Sequence, residues 1–179
     1  MNGAEVLLRT AAKAGVDVCF VNPGTTELPI VAALEAVALR AVLALAEGVV
    51  AGAADGYGRL AGRPALTLTH QGPSFANALA NLHNARRARS PVVNVVGDQP
   101  TWHRPFDPPL TTDVLALAKT VSGFARATRG AADVGRDLAD AIAAASGPPG
   151  DVATLVVPAD AQWGEGGAVG EPRARRALP

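Results

Sequence analysis

Residues 41–57 read Ala41-Val-Leu-Ala-Leu-Ala-Glu47-Gly-Val-Val-Ala-Gly-Ala-Ala-Asp-Gly-Tyr57. The unbroken apolar run 41–46 predicts a strand buried on both faces, and the Ala- and Gly-rich segment after it has helical composition. Glu47 stands at the junction. In an open parallel sheet, ligands bind at the carboxyl ends of the strands, and an acid held there against an apolar wall can have its proton affinity tuned for chemistry. The competing reading is a first-turn acid favoured only by the helix dipole.

The alternation continues in both directions. Strand-like apolar runs occupy 16–21, 41–46, 65–69, 92–96, 120–124 and 152–157. Segments of helical period or composition lie at about 3–14, 27–38, 48–61, 74–88, 111–118 and 131–146. Together these predict an α/β fold, a parallel sheet of about six strands with helices on both faces. Ser146-Gly-Pro-Pro-Gly150 ends the last long helix, as Gly and Pro should. From Gly164 the pattern stops, so one domain is expected over 1–163, with 164–179 as linker or loose tail.

Composition narrows the function classes. A chain of 179 residues with 49% hydrophobic content can bury one full core. Lys plus Arg equals Asp plus Glu at 16 each, so no net field favours nucleic acid or an anionic membrane. The lone Cys19, inside Val16-Asp-Val-Cys-Phe-Val21, reads as a buried small hydrophobe. The start lacks a signal-peptide pattern and charges interrupt every apolar stretch, so a cytoplasmic location is expected, without membrane insertion.

Four polar sites fall at strand carboxyl ends: Asn22-Pro-Gly-Thr25-Thr26, Glu47, His70-Gln71 and Gly97-Asp98. Some of these residues are expected to cap the helices that follow, Thr26 among them, three positions before Pro29. Gly72 is assigned to the turn that opens the next helix. His83 reads as a helix-surface residue. The Pro-rich loop Asp98-Gln-Pro-Thr-Trp-His-Arg-Pro-Phe-Asp-Pro-Pro109 offers Trp102, His103 and Phe106 either to a neighbouring site or to a subunit contact.

In order and spacing, Asn22-Pro-Gly-Thr-Thr-Glu-Leu-Pro29, Glu47 with Ala-Asp-Gly-Tyr-Gly-Arg, and His70-Gln-Gly-Pro-Ser-Phe-Ala-Asn77 carry a resemblance. The chain resembles the N-terminal, pyrimidine-binding domain of thiamine diphosphate enzymes of the acetolactate synthase and benzoylformate decarboxylase group. The resemblance covers about residues 1–163. It implies that Glu47 hydrogen-bonds N1′ of the cofactor's aminopyrimidine and activates the cofactor for attack on a 2-oxo acid. The benzoylformate decarboxylase pattern has a histidine at the place of His70, which implies proton transfer near the substrate. The other reading of His70 is a strand-ending residue bonded to a neighbouring carbonyl. Thr25 falls on a serine that faces substrate in that pattern. Gly24 and Asn77 are implied cofactor contacts, and Gln71 a hydrogen-bonding group for substrate.

The family's Gly-Asp-Gly segment, which holds magnesium and the diphosphate, has no counterpart in this sequence, and no metal ligand is assigned here. The resemblance therefore implies either a fragment of a larger enzyme, whose copies complete one another's sites, or a separately encoded subunit whose companion carries the diphosphate-binding domain, with Val49, Val50, Ala53 and Ala54 after Glu47 expected in the contact. Decarboxylation or carboligation of a small 2-oxo acid is the expected chemistry, and the motifs do not decide whether flavin (FAD) binds. A non-catalytic interaction module that keeps the fold is the alternative. A nicotinamide-binding domain ranks last, since the glycine fingerprint after its first strand is missing.

Overall fold

The computed structural model describes residues 1–174. Six strands, β1 (Val18–Asn22), β2 (Arg40–Leu43), β3 (Ala65–Thr69), β4 (Val92–Asp98), β5 (Phe124–Ala127) and β6 (Val152–Pro158), form one sheet in the order β2-β1-β3-β4-β6-β5. Every pairing is parallel. The helices are α1 (Gly3–Lys13), α2 (Leu28–Ala33), α3 (Glu47–Ala61), α4 (Pro73–Arg87), α5 (Val114–Val121), α6 (Ala131–Ala145) and α7 (Ala159–Trp163), with three short 3-10 turns.

Alternate residues along the central strands supply two cores. Leu66, Leu68, Val93, Val95, Ala153 and Leu155 join Leu7, Leu8, Ile30, Leu138 and Ile142 on one side. Val92, Val96, Val152 and Val156 join Ala51, Ala54, Phe75, Ala78, Leu82 and Val114 on the other. Helices α1, α2 and α6 thus cover one face, and α3, α4 and α5 the other, which is why β3, β4 and β6 carry no alternation in the sequence. On the second face a buried polar row crosses the sheet: Thr67 Oγ1 donates to Asn94 Oδ1 (2.7 Å), Asn94 Nδ2 reaches Thr154 Oγ1 (3.4 Å), and Ser122 Oγ meets Thr154 Oγ1 (2.7 Å). Each hydroxyl and amide in it finds a partner, as burial requires. Cys19 is buried in the first core, and burial pushes its thiol up to about 12.

Local signals set the helix ends. Asn2 Oδ1 accepts from the Glu5 amide (2.9 Å) and Glu5 Oε2 from the Asn2 amide (3.2 Å), a reciprocal cap on α1. Asp113 Oδ1 accepts from the Ala116 amide and caps α5. Helix α3 ends at Gly62, where φ is +64.

Several boundaries differ from expectation. The run 41–46 yields only a four-residue edge strand, β2, and its burial is not two-sided: Leu43 is 67% exposed and Leu45, in the loop beyond it, 94%. The expected strand at 120–124 lies instead at Phe124–Ala127. Val114, Ala118 and Val121 recur at helical spacing and are buried, so α5 runs on to Val121 and the strand starts only after Ser122-Gly123. The expected helix 27–38 is broken into α2 with a 3-10 turn on each side, and Thr26 caps nothing. Helix α7 has no counterpart among the expected helices.

The segment after Trp163 runs back over α1 and α6. Gly3 donates to the Gly164 carbonyl (3.0 Å), Gly170 donates to Thr10 Oγ1 (2.9 Å), and Lys13–Glu171 and Arg173–Asp140 pair at the surface (2.6 and 2.7 Å). The part of the expected tail at 175–179 lies outside the described residues.

Candidate active site

The chain leaves β1 toward β2 on one side and crosses back to β3 on the other, so the strand order reverses beside β1. That switch point is where α/β sheets leave a crevice at their carboxyl edge. The loops after β1, β2 and β3 carry Gly24 to Glu27, Glu47, and His70-Gln71 to this edge.

Glu47 is the first residue of α3, half-buried, on a loop held from two neighbouring elements. Asn22 Nδ2, at the end of β1, donates to the Ala44 carbonyl (2.8 Å). Asn81 Nδ2, on α4, donates to the Gly48 carbonyl (2.6 Å), and Asn77 Nδ2 donates to Glu47 Oε2 (3.3 Å). Three asparagines therefore fix the backbone on both sides of Glu47 and one oxygen of its carboxylate. A partly exposed carboxylate anchored through one oxygen retains acceptor sites for a donor arriving from outside the chain. A protonated heteroaromatic ring nitrogen is such a donor, so the residues present fit the pyrimidine end of thiamine diphosphate.

A second constellation lies one strand away. Glu27 is fully buried (0% exposed), and the Gly24 amide donates to its Oε2 (2.6 Å). The Thr26 hydroxyl donates to its Oε1. His70 Nδ1 stands 3.1 and 3.0 Å from the two carboxylate oxygens and 2.8 Å from Thr26 Oγ1. The Glu27 hydrogen bond is the main cause that raises the His70 pKa, burial opposes it, and the charges of Glu27 and Asp98 add to the rise. Asp98 is itself paired with Arg104 (2.6 Å).

Two glycines make room. A Cβ at Gly97 would stand 1.7 Å from Glu27 Oε1, and one at Gly24 would stand 2.6 Å from His70 Cγ. Gly24 thus has its identity set by the His70 ring packed on it. Gly72, with φ +59, opens α4, and a Cβ there would meet the Leu110 carbonyl at 2.6 Å.

The structure brings Glu47 and Asn77 into contact, and Gly24 and His70 into contact, while Thr25 stands exposed beside them. Gln71 is different. It is 1% exposed, and neither side-chain polar atom has a hydrogen-bond partner among the described residues, although a buried amide ordinarily has one. His83 is exposed on α4, as read. Glu27 escaped the sequence reading. The signal that could have found it is an acid three residues after Gly24, where its carboxylate can accept the loop's own amide.

A wholly parallel α/β domain with an anchored acid and a Glu–His pair at its switch point has the architecture of the open sheets that bind ligands at this edge. The chain belongs to the thiamine pyrophosphate enzyme family, through its N-terminal TPP binding domain, whose model matches residues 1–120. IlvX of Mycobacterium tuberculosis, which carries the provisional name of an acetolactate synthase large subunit, is 56% identical over 100% of this chain and 35% of that protein. Benzoylformate decarboxylase of Pseudomonas aeruginosa is 34% identical over 84% of this chain and 28% of its own length. Acetolactate synthase of Mycobacterium bovis is 32% identical over 92% and 27%. The chain spans about a third or less of the length of these curated relatives.

Proposed function

We propose that the chain is the pyrimidine-binding part of a thiamine diphosphate-dependent enzyme acting on a 2-oxo acid, by decarboxylation or carboligation. Residues 1–163 form that domain, and the segment from Gly164 is a linker laid back over α1 and α6. The observation that carries the reading is the Glu47 carboxylate, set at the carboxyl edge by Asn22, Asn77 and Asn81. Bound thiamine diphosphate supplies the nucleophile and the electron sink that side chains lack. Glu47 would accept the pyrimidine ring's N–H and hold its proton. His70 would take or return a proton at the substrate, and Thr25 and Gln71 would position that substrate. Gly24 leaves the loop close to the cofactor.

Magnesium and the diphosphate end would be held by a second domain, on another copy of a longer protein of which this chain is part or on a companion subunit. Leu43, Leu45 and Val49, 67%, 94% and 58% exposed around Glu47, would lie under that partner. Val50 and Ala54 are already buried in this chain's own core and add nothing to such a contact. Among the described residues no helix is long and apolar enough to cross a membrane, and a cytoplasmic setting fits the buried, unpaired Cys19.

Glu47→Gln tests the reading in the enzyme completed by its diphosphate-binding domain. Shape and one acceptor remain while the carboxylate is lost, so turnover of pyruvate or benzoylformate should fall at least about 100-fold with the fold intact. Near-normal turnover would reject the assignment.

A further inference from the structure

We propose that Glu27 is the positioning residue for His70, fixing the imidazole proton on Nδ1 so that Nε2 is the nitrogen that exchanges protons. The proposal rests on the reading above for what Nε2 then does, but its structural half stands alone. The Glu27 carboxylate is wholly buried and can only accept. Its oxygens face the Gly24 amide, the Thr26 hydroxyl and His70 Nδ1. An unprotonated Nδ1 would aim a lone pair at a buried anion, so the neutral ring must carry its hydrogen there. The Thr26 proton is already given to Glu27, and the same hydroxyl faces Nδ1 with its lone pairs. Both neighbours of Nδ1 therefore demand an N–H.

The consequence is a division of labour within one ring. Nδ1–H stays with Glu27, and Nε2 presents a lone pair when neutral and an N–H when charged. Glu27 stabilises the charged ring, as a buried carboxylate does behind a catalytic histidine. The other charge that bears on His70 is Asp98 at the end of β4, itself paired with Arg104, and Glu27 is the group in direct contact. Gly97 and Gly24 support the arrangement, since a side chain at either would displace the carboxylate or the ring. Glu27 touches none of the reacting atoms in this assignment and acts through His70.

Long-range proton–nitrogen NMR spectra of the 179-residue chain test this without any cofactor. Loss of a signal set in His70→Gln identifies His70 against His83 and His103. The expected wild-type result is a neutral His70 with Nδ1 protonated and Nε2 bare. In folded Glu27→Gln the His70 titration midpoint should move to lower pH and the Nδ1–H form should lose population. A wild-type ring protonated on Nε2 overturns the proposal, even if Glu27→Gln fails to fold. An unchanged midpoint in a folded Glu27→Gln overturns it as well. In the completed enzyme, the pH profile of kcat/KM should shift in the same direction as the midpoint. If the NMR result is as expected and the profile does not move, Glu27 still sets His70 and it is the catalytic part of the reading that fails.

Discussion

A methyl group at position 97 would sit 1.7 Å from Glu27 Oε1 and 2.5 Å from its Cδ, so the buried carboxylate would have to leave its place. Gly97→Ala is therefore expected to cost about 1–3 kcal/mol, the usual range for overpacking a filled interior. Urea denaturation measures it, and a variant as stable as the wild type would mean that Glu27 lies elsewhere. His70 gives stability a pH dependence of known sign. Its folded pKa is raised above the ordinary 6.5, mainly by the Glu27 hydrogen bond, so the contribution is fully present below pH 6.5 and is lost as pH rises through the folded value. The stability gap between wild type and His70→Gln should then narrow as pH rises from 6.5 through the folded value. A gap that widens over that interval would reverse the assignment. Glu47 and His70 were legible because each ends an apolar run. Glu27 was not, because its partner His70 is 43 residues away and the contact follows from β1 lying beside β3, which no local pattern records.

Within single elements, the same residue type answers different constraints. Helix α3 contains Gly56, around which an added Cβ meets nothing within 4 Å, and Gly58, where it would stand 2.7 Å from the Pro91 carbonyl. Gly56→Ala should stabilise the protein by about 0.5–1 kcal/mol through lower chain entropy. Gly58→Ala should destabilise it, since the backbone on the other side cannot yield as a flexible side chain would. Thermal unfolding of the two variants decides the matter, and equal shifts would contradict the packing of α3 on the start of β4. The interior strands β3, β4 and β6 were read nearly to the residue because burial on both faces leaves continuous apolar runs. The edges were not. In β5, Phe-Ala-Arg-Ala carries Arg126, whose guanidinium reaches Asp137 and Asp140 on α6 at 2.8 and 2.7 Å, and such a strand lacks the expected signature. In β2, the apolar run extends past the strand into exposed Leu45, so hydrophobicity there marks surface and not core.

For the whole molecule, the layout predicts a divided binding site. In the proposed reading, the residues that would meet thiamine diphosphate lie at one sheet edge, around Glu47, and among the described residues no group of three or more His, Cys, Asp or Glu comes together to hold a metal ion. One charged hydrogen bond contributes about 1.5–3 kcal/mol. Even a 1 mM dissociation constant requires about 4 kcal/mol. The isolated chain is therefore expected to bind thiamine diphosphate more weakly than about 1 mM, with or without magnesium. Titration calorimetry on the chain alone, then with a protein carrying the diphosphate-binding domain, measures this directly. Metal-dependent binding should appear only in the mixture, and Leu45→Glu or Val49→Glu, placed in the exposed apolar patch, should abolish it without altering the fold of the free chain. Micromolar, magnesium-dependent binding by the chain alone would show that both ends of the cofactor are held here. Binding in the mixture that survives both substitutions would move the partner to another face.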